Sequence, residues 1–197
     1  VEKLKNDFEE KLRIADVYEN LKKTANGEIV SDNSKITFER YIMGSYFEQV
    51  LYYANLRFSK MTGGRYEIVR GESRDKRISA GLEISVRDNF NNKERDISSL
   101  SGGESFQASL ALALGLSDII QQRNGGIRLD SIFIDEGFGS LDNDSLASAI
   151  ETLNDLTGNG NRLVGIISHI SELKNSIGNK IEVVGTKSGS SIKIITD

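Results

Sequence analysis

Three short segments of this chain carry residue types that could act on a phosphate. The first is Leu100-Ser101-Gly102-Gly103-Glu104. A Ser with a Glu three residues on is a capping box and opens a helix. Two glycines in that first turn cost up to about 1 kcal/mol each relative to Ala. They leave backbone N–H groups bare at the positive end of a helix dipole, an anion site suited to phosphate. The same residues also fit a plain capped helix behind a flexible turn. The second segment is Ile132-Phe133-Ile134-Asp135-Glu136, two carboxylates at the carboxyl end of an apolar strand, where parallel sheets bind ligands. Adjacent strand-end residues point apart, so one acid can hold a hydrated Mg²⁺ while the other polarises a water. The bland alternative is a solvated strand terminus. Gly137-Phe138-Gly139-Ser140-Leu141-Asp142 follows as a glycine-hinged loop. The third segment ends in His169, the only histidine. It follows an apolar strand, so it should emerge on the same sheet edge as Asp135 and Glu136, where an imidazole could hydrogen-bond a phosphate oxygen. A lone histidine is also a common surface residue.

The elements that must hold these groups are legible from periodicity. Residues 3–23 predict a charged amphipathic helix, with Leu4, Phe8, Leu12 and Ala15 on one stripe and Ile14, Val17 and Leu21 beside it. The pattern suits a surface helix or the end of a coiled coil. A polar break covers Thr24–Asn33. A second helix is expected from about Ser34 to Thr62, its face made by Phe47, Val50, Leu51, Ala54, Phe58 and Met61, and Gly63-Gly64 stops it. Tyr66–Val69 and Leu82-to-Val86 read as strands, with a turn at Asn89–Asn92. From Leu100 the order is helix (Ser101 to about Gln122), strand (Ser131–Ile134), helix (about Asn143 to Leu156), strand (Leu163–Ile167) and a short helix near Ser171–Ser176. Alternation returns in Ile181–Val184 and Ile192–Ile195. Apolar strands between helices predict an α/β fold whose parallel sheet is covered on both faces, with an antiparallel segment attached.

Taken in order, the pattern is more specific than its parts. A glycine-rich helix start, an Asp-Glu strand end 31 residues beyond Glu104, a Ser-Leu-Asp loop and a His 33 residues beyond Glu136 resemble the ABC-type ATPases. There they are the signature motif, the Walker B strand, the D-loop and the switch histidine. The run from Asp135 to Asp142 and the run LSGGESFQASLALALGLSD at Leu100–Asp118 resemble the SbcC family of bacterial double-strand-break repair ATPases, which work with the SbcD nuclease. The resemblance covers roughly residues 35–197 and implies the C-terminal half (lobe II) of a split ATPase head over 34–197, with residues 1–25 as the end of a long coiled coil. It further implies ATP and Mg²⁺ as ligands, with Asp135 on the metal, Glu136 as general base and His169 as γ-phosphate sensor. Leu100, Ser101, Gly102, Gly103 and Glu104 would face the nucleotide of an opposite head, and Ser140, Leu141 and Asp142 would signal across the dimer. Implied partners are the N-terminal half of the head, a second head, SbcD and double-stranded DNA, in the cytoplasm on the nucleoid and away from membrane. No G-x-x-x-x-G-K-[ST] occurs; Gly185-Thr186-Lys187-Ser188 lacks its first glycine. The chain alone is therefore expected not to hydrolyse ATP. Another member of the superfamily, a chromosome-condensation or transporter ATPase, is the alternative, and a non-enzymatic coiled-coil module is a second.

Composition bounds these readings. The chain has 197 residues with 25 Lys+Arg and 29 Asp+Glu, a net charge of −4, no Cys and no Pro. A 38% hydrophobic, 27% charged content is that of a folded globular chain and excludes disorder. No run reaches the ~18–20 apolar residues of a membrane span, and the charged start excludes a secretory signal. Absence of Cys excludes disulfides and thiolate zinc sites, and fits a reducing, cytosolic setting. A first residue of Val suggests a processed chain or a piece of a longer one. Seven basic residues between Arg57 and Arg77 (Arg57, Lys60, Arg65, Arg70, Arg74, Lys76, Arg77) face three acids, whereas Leu129 to Asn161 holds seven acids and no base. Arg57, Lys60, Arg65 and Arg70 lead the candidates for DNA-backbone contact; a solvated charged surface explains the run equally well.

Overall fold

The computed structural model describes residues 2–28, 37–71, 82–123, 129–160, 162–186 and 189–196. Helix α1 spans Glu2–Ala25 and buries none of its residues. Its ion pairs are local, Asp7 with Lys11 at 3.0 Å and Glu19 with Lys23 at 3.1 Å, the i,i+4 pattern that steadies a solvated helix. Helix α2, Phe38–Met61, starts where Thr37 Oγ1 accepts the Arg40 amide at 3.3 Å, a side-chain N-cap. The expected start near Ser34 and the cations Arg74, Lys76 and Arg77 lie outside the described residues. The predicted apolar face holds: Val50, Leu51, Ala54, Phe58 and Met61 are buried.

The central packing event is α2 against α3, Gly102–Arg123. The two backbones touch at Gly115, where a Cβ would stand 2.7 Å from Val50 O and 2.7 Å from Ala54 N. Behind this crossing, Ala108, Ala111 and Leu114 of α3 join Ala54 and Phe58 in one core with Leu146, Ala149 and Leu153 of α4, Asn143–Gly160. Small residues at the crossing let the larger ones interdigitate without voids.

An antiparallel sheet of β1 (Tyr66–Arg70), β2 (Ile84–Asp88) and β3 (Lys93–Asp96) packs on α2 through Tyr66, Ile68 and Val86. Strand β3, reading Lys-Glu-Arg-Asp, has no apolar alternation and was not foreseen; it pairs with β2 from Ser85↔Asp96 to Asp88↔Lys93. Asn92, at φ 53°, makes the turn between them. On the outer edge of β1, the Asn55 amide donates to Ile68 O and accepts from Ile68 N, both at 2.8 Å.

Parallel strands β4 (Ser131–Asp135) and β5 (Leu163–Ile167) pair in register from Ser131↔Leu163 to Asp135↔Ile167. Ile132, Ile134, Val164 and Ile166 pack on the core. The other face corrects the sequence expectation of a sheet covered on both sides. Phe133 is 72% exposed and Leu163 and Ile167 are open with it, because no described element of this chain crosses that face. Helix α5, Ser171–Ser176, anchors through buried Leu173, and a hairpin of β6 (Lys180–Thr186) and β7 (Gly189–Ile195) follows. Its cross-strand pairs Ile181↔Ile194 and Val183↔Ile192 are all 67–71% exposed. Among the described residues no helix is long and apolar enough to cross a membrane.

The backbone contact at Gly115 makes a direct prediction. Gly115→Ala gains up to about 1 kcal/mol of helix propensity but forces α2 and α3 apart, a cost of about 1–3 kcal/mol. Urea unfolding is expected to show a net loss of stability; a rise in midpoint would contradict the crossing.

Candidate functional site

The start of α3 is built as the sequence predicts. Glu104 Oε2 accepts the Ser101 amide at 2.9 Å, and Ser101 Oγ accepts the Glu104 amide at 3.3 Å, a reciprocal capping box. Ser101 is itself exposed, and its hydroxyl also helps hold the Glu104 carboxylate. The two glycines have different reasons. A Cβ on Gly103 would meet Ser140 O at 2.9 Å and Leu141 Cδ2 at 3.3 Å, whereas one on Gly102 would make only ordinary contact, 3.5 Å from Ser140 Cβ. Gly103 therefore admits the following loop, and Gly102 is the open one. Leu100 is buried behind the turn.

At the end of β4 the chain bends sharply. Glu136 has φ +59° and Gly137 φ +100°. A non-glycine residue there costs about 1–2 kcal/mol, and such strain gathers where function needs a fixed side chain. The Glu136 amide donates to Ile167 O at 2.9 Å, tying the bend to the end of β5. His169, two residues beyond β5, reaches back so that Nδ1 lies 3.0 Å from Glu136 Oε2 and 3.2 Å from Oε1. An ionised carboxylate only accepts, so the contact assigns its proton to Nδ1. Both side chains are open to solvent, 79% for His169 and 49% for Glu136. Asp135 is exposed one residue earlier at the strand end.

Two phenylalanines join this bend to α3. Phe138 is 1% exposed, and its ring meets that of Phe106 edge-on at 4.8 Å. The Phe106 ring lies directly against Gly137, in the space a Cβ would take. Ser140 Oγ donates back to Gly137 O at 3.1 Å. Asp142 caps α4, accepting from Ser145 N at 2.8 Å and Ser145 Oγ at 3.2 Å; these bonds hold its carboxyl below the usual 3.8. Residues 101–104 and 137–142 thus pack as one unit, and Glu136 and His169 meet beside it.

The four basic candidates do not assemble a free cationic patch. Arg57 Nη1 sits 2.7 Å from Asp118 Oδ2, a carboxylate that also holds Arg162 at 2.9 Å. Lys60 bridges Asp155 at 2.8 Å and Glu151 at 3.0 Å, and these partners raise its ammonium above the usual 10.5. Arg70 pairs with Glu48 at 2.9 Å, and Arg65 lies 3.5 Å from Asp88 and 4.7 Å from the Tyr66 ring centroid. Partners this close cancel the field a DNA backbone would feel beyond a Debye length. Tyr66 and Arg95, beside Glu104, were not anticipated; the sequence gives no spacing signal linking β1, β3 and α3.

Comparison with known proteins agrees with this geometry. The fold aligns with an SMC ATPase from a study of ATP-driven dimerization and DNA-stimulated activation, at TM-score 0.60 and 16% identity, covering 80% of this chain and 89% of the other. These features define part of an SMC-type ATPase head fold. A family model described as SbcC/RAD50-like, Walker B motif, matches residues 72–155. The SbcC subunit of the SbcCD nuclease from Vibrio cholerae is 49% identical over 173 residues, 87% of this chain and 17% of its own length. Its counterpart from Staphylococcus epidermidis is 55% identical over 153 residues, 78% of this chain and 15% of its own. The chain belongs to the SbcC/RAD50-like family. It spans about a sixth of the length of these curated relatives.

The glycine distinction is testable by amide hydrogen exchange. Gly103→Ala is expected to loosen residues 138–141, while Gly102→Ala leaves their protection unchanged; equal effects would contradict it. Glu104 supplies a second test. Burial pushes its carboxyl up, but the Ser101 amide, the Tyr66 hydroxyl, the Ser101 hydroxyl and Arg95 outweigh burial and hold it below 4.5. The folded chain then binds its proton later than the unfolded one, so the stabilisation is present above the unfolded value and fades as pH falls through the folded one. Glu104→Gln should flatten that acid limb of stability. An unaltered limb would show that the carboxylate is not held this way.

Proposed function

We propose that this chain is the C-terminal half of an ATP-hydrolysing head, with lobe II over 34–197 and a coiled-coil end over 1–25. The observation that carries the reading is Glu136, fixed in a left-handed bend at the end of β4 with its carboxylate on His169. A side chain held there at backbone cost suits a general base better than a solvated strand end. The bare faces of β4–β5 and β6–β7 suit cover by the N-terminal half, which also brings the phosphate cradle absent here; the chain alone does not turn over ATP. The solvated apolar stripe of α1 suits the second strand of a coiled coil.

In this mechanism two heads close on ATP. The Ser101 hydroxyl and the bare amides of Gly102 and Gly103 meet the γ-phosphate held by the opposite head, at the positive end of α3. Glu136 accepts the proton of a water as its oxygen bonds to the γ-phosphorus and the bond to the bridging oxygen breaks, leaving ADP and phosphate. His169, freed from Glu136 by that geometry, offers a nitrogen to the γ-phosphate. Asp135, an exposed carboxylate of hard oxygen donors, fits Mg²⁺ through water; the metal would neutralise charge on the phosphate oxygens. Ser140 and Leu141, packed on the Gly103 turn, and Asp142 at the start of α4 pass its position to the dimer interface. The work is positioning and electrostatics.

The relatives are named as components of the SbcCD nuclease, so the partner proposed is an SbcD nuclease acting on double-stranded DNA, with ATP-driven closure gating its access. The setting is the nucleoid in the cytoplasm, without membrane. DNA contact is assigned to the assembled complex, since Arg57, Lys60, Arg65 and Arg70 are each engaged by carboxylates of this chain.

The test uses the complete head. Glu136→Gln is expected to retain ATP-driven association and lower turnover by about 10²–10⁴, whereas Ser101→Arg abolishes association without unfolding the chain, its lost N-cap costing only about 0.5–2 kcal/mol of stability. Near wild-type turnover in the first, or normal association in the second, would overturn the assignment.

A further inference from the structure

The capping box of α3 does not stand alone. The Tyr66 hydroxyl is among the groups that hold the Glu104 carboxyl down, and that hydroxyl accepts a hydrogen bond from Arg95 Nη2 at 3.2 Å. Arg95 Nη2 lies 4.0 Å from Glu104 Oε2, and Arg95 Nη1 donates to Ser99 O at 2.9 Å. The Arg95 guanidinium sits over the Tyr66 ring, 5.3 Å from its centroid, with that of Arg65 at 4.7 Å. Tyr66 is 3% exposed and its ring stacks on Phe58 of the core at 6.4 Å. Arg95 Nε is buried, so the side chain is seated rather than swinging in solvent.

The chemistry fixes the direction of this chain of bonds. Arg95 can only donate and an ionised Glu104 can only accept, so with Nη2 bonded to its oxygen the Tyr66 hydroxyl has its own proton to offer the carboxylate. Bonds aligned in this way polarise one another. The carboxylate end then grips the Ser101 amide at 2.9 Å. Strands β1 and β3 and the start of α3 thereby meet at Glu104, the residue that grips the Ser101 amide ahead of the diglycine turn.

We propose that Tyr66 and Arg95 are positioning residues for Ser101: they lock Glu104 against its amide and so set the turn at which the opposite head's nucleotide is received. The idea rests on the ATPase reading above. It adds that the antiparallel sheet, through these two side chains, governs how readily nucleotide closes the heads, without entering the chemical step.

Positioning of this kind moves the ATP requirement and not the maximal rate. In the complete head, Tyr66→Phe and Arg95→Met are each expected to raise the ATP concentration for half-maximal turnover and association about tenfold, the loss of one charge-assisted bond. The rate at saturating ATP should stay within about twofold of wild type. The double variant should fall short of the product of the singles, because both break one chain of bonds. Gly115→Ala serves as the control, a destabilised head with this network intact. An unmoved ATP requirement in both single variants, or an equal shift in Gly115→Ala, would overturn the proposal. Ser101→Arg separates the two levels: if it leaves association normal, the nucleotide reading fails; if it abolishes association while Tyr66→Phe and Arg95→Met do nothing, only the positioning role fails.

Discussion

The seat of one ring determines where the chemistry-bearing groups of this molecule lie. Phe138 is buried between α3 and α4, and Phe106 closes over it and over the backbone of Gly137. A strand end is ordinarily the loosest place to hang a reactive carboxylate. Here the bend that carries Glu136 is clamped on one side by the hydrogen bond to Ile167 O and on the other by this aromatic pair. The glycine before Phe138 follows from the clamp. Gly137 has both a positive φ and a ring where a Cβ would be, so two independent constraints select the same residue. With the loop seated, Ser140 O comes against Gly103 and the start of α3 is located too.

Much of this was readable from the sequence because it is local. The capping box spans three residues, the apolar face of α2 repeats within four, and the strand ends are defined by runs of five; the structure returns each of them. The order of segments was legible for the same reason, since strand, helix and strand announce themselves by period. What was not legible is pairing over distance. Arg57 meets Asp118 and Lys60 meets Asp155 across 61 and 95 residues, and a count of charges along the chain cannot show that they cancel. The contact of Tyr66 with Arg95 likewise joins residues 29 apart. Strand β3 escaped because four charged residues show no apolar alternation, and what holds them is pairing to β2 and long-range polar contacts such as Arg95 with Tyr66.

The most instructive miss concerns cover. Apolar strands without alternation imply two buried faces, and that inference about composition was sound. The structure places helices on only one face of β4–β5, leaving Phe133, Leu163 and Ile167 bare. Sequence pattern records what a strand expects to touch and not whether the same chain provides it. Contiguous exposed apolar surface marks an interaction site in a folded protein, so the two bare sheets bear on assembly as the Glu136 bend bears on chemistry.

The clasp of Asn55 on Ile68 matters for handling the chain in isolation. A free strand edge is a template on which further chains can stack. The carboxamide imitates a peptide unit there, occupying both hydrogen-bonding groups of Ile68, so the β1 edge of the antiparallel sheet is blocked at its middle. The β6–β7 hairpin has no comparable plug among the described residues, and its isoleucines and valines stand in water. Insolubility of this fragment would therefore begin at its carboxyl-terminal ribbon, and solubilising changes belong there and not on the sheet next to α2.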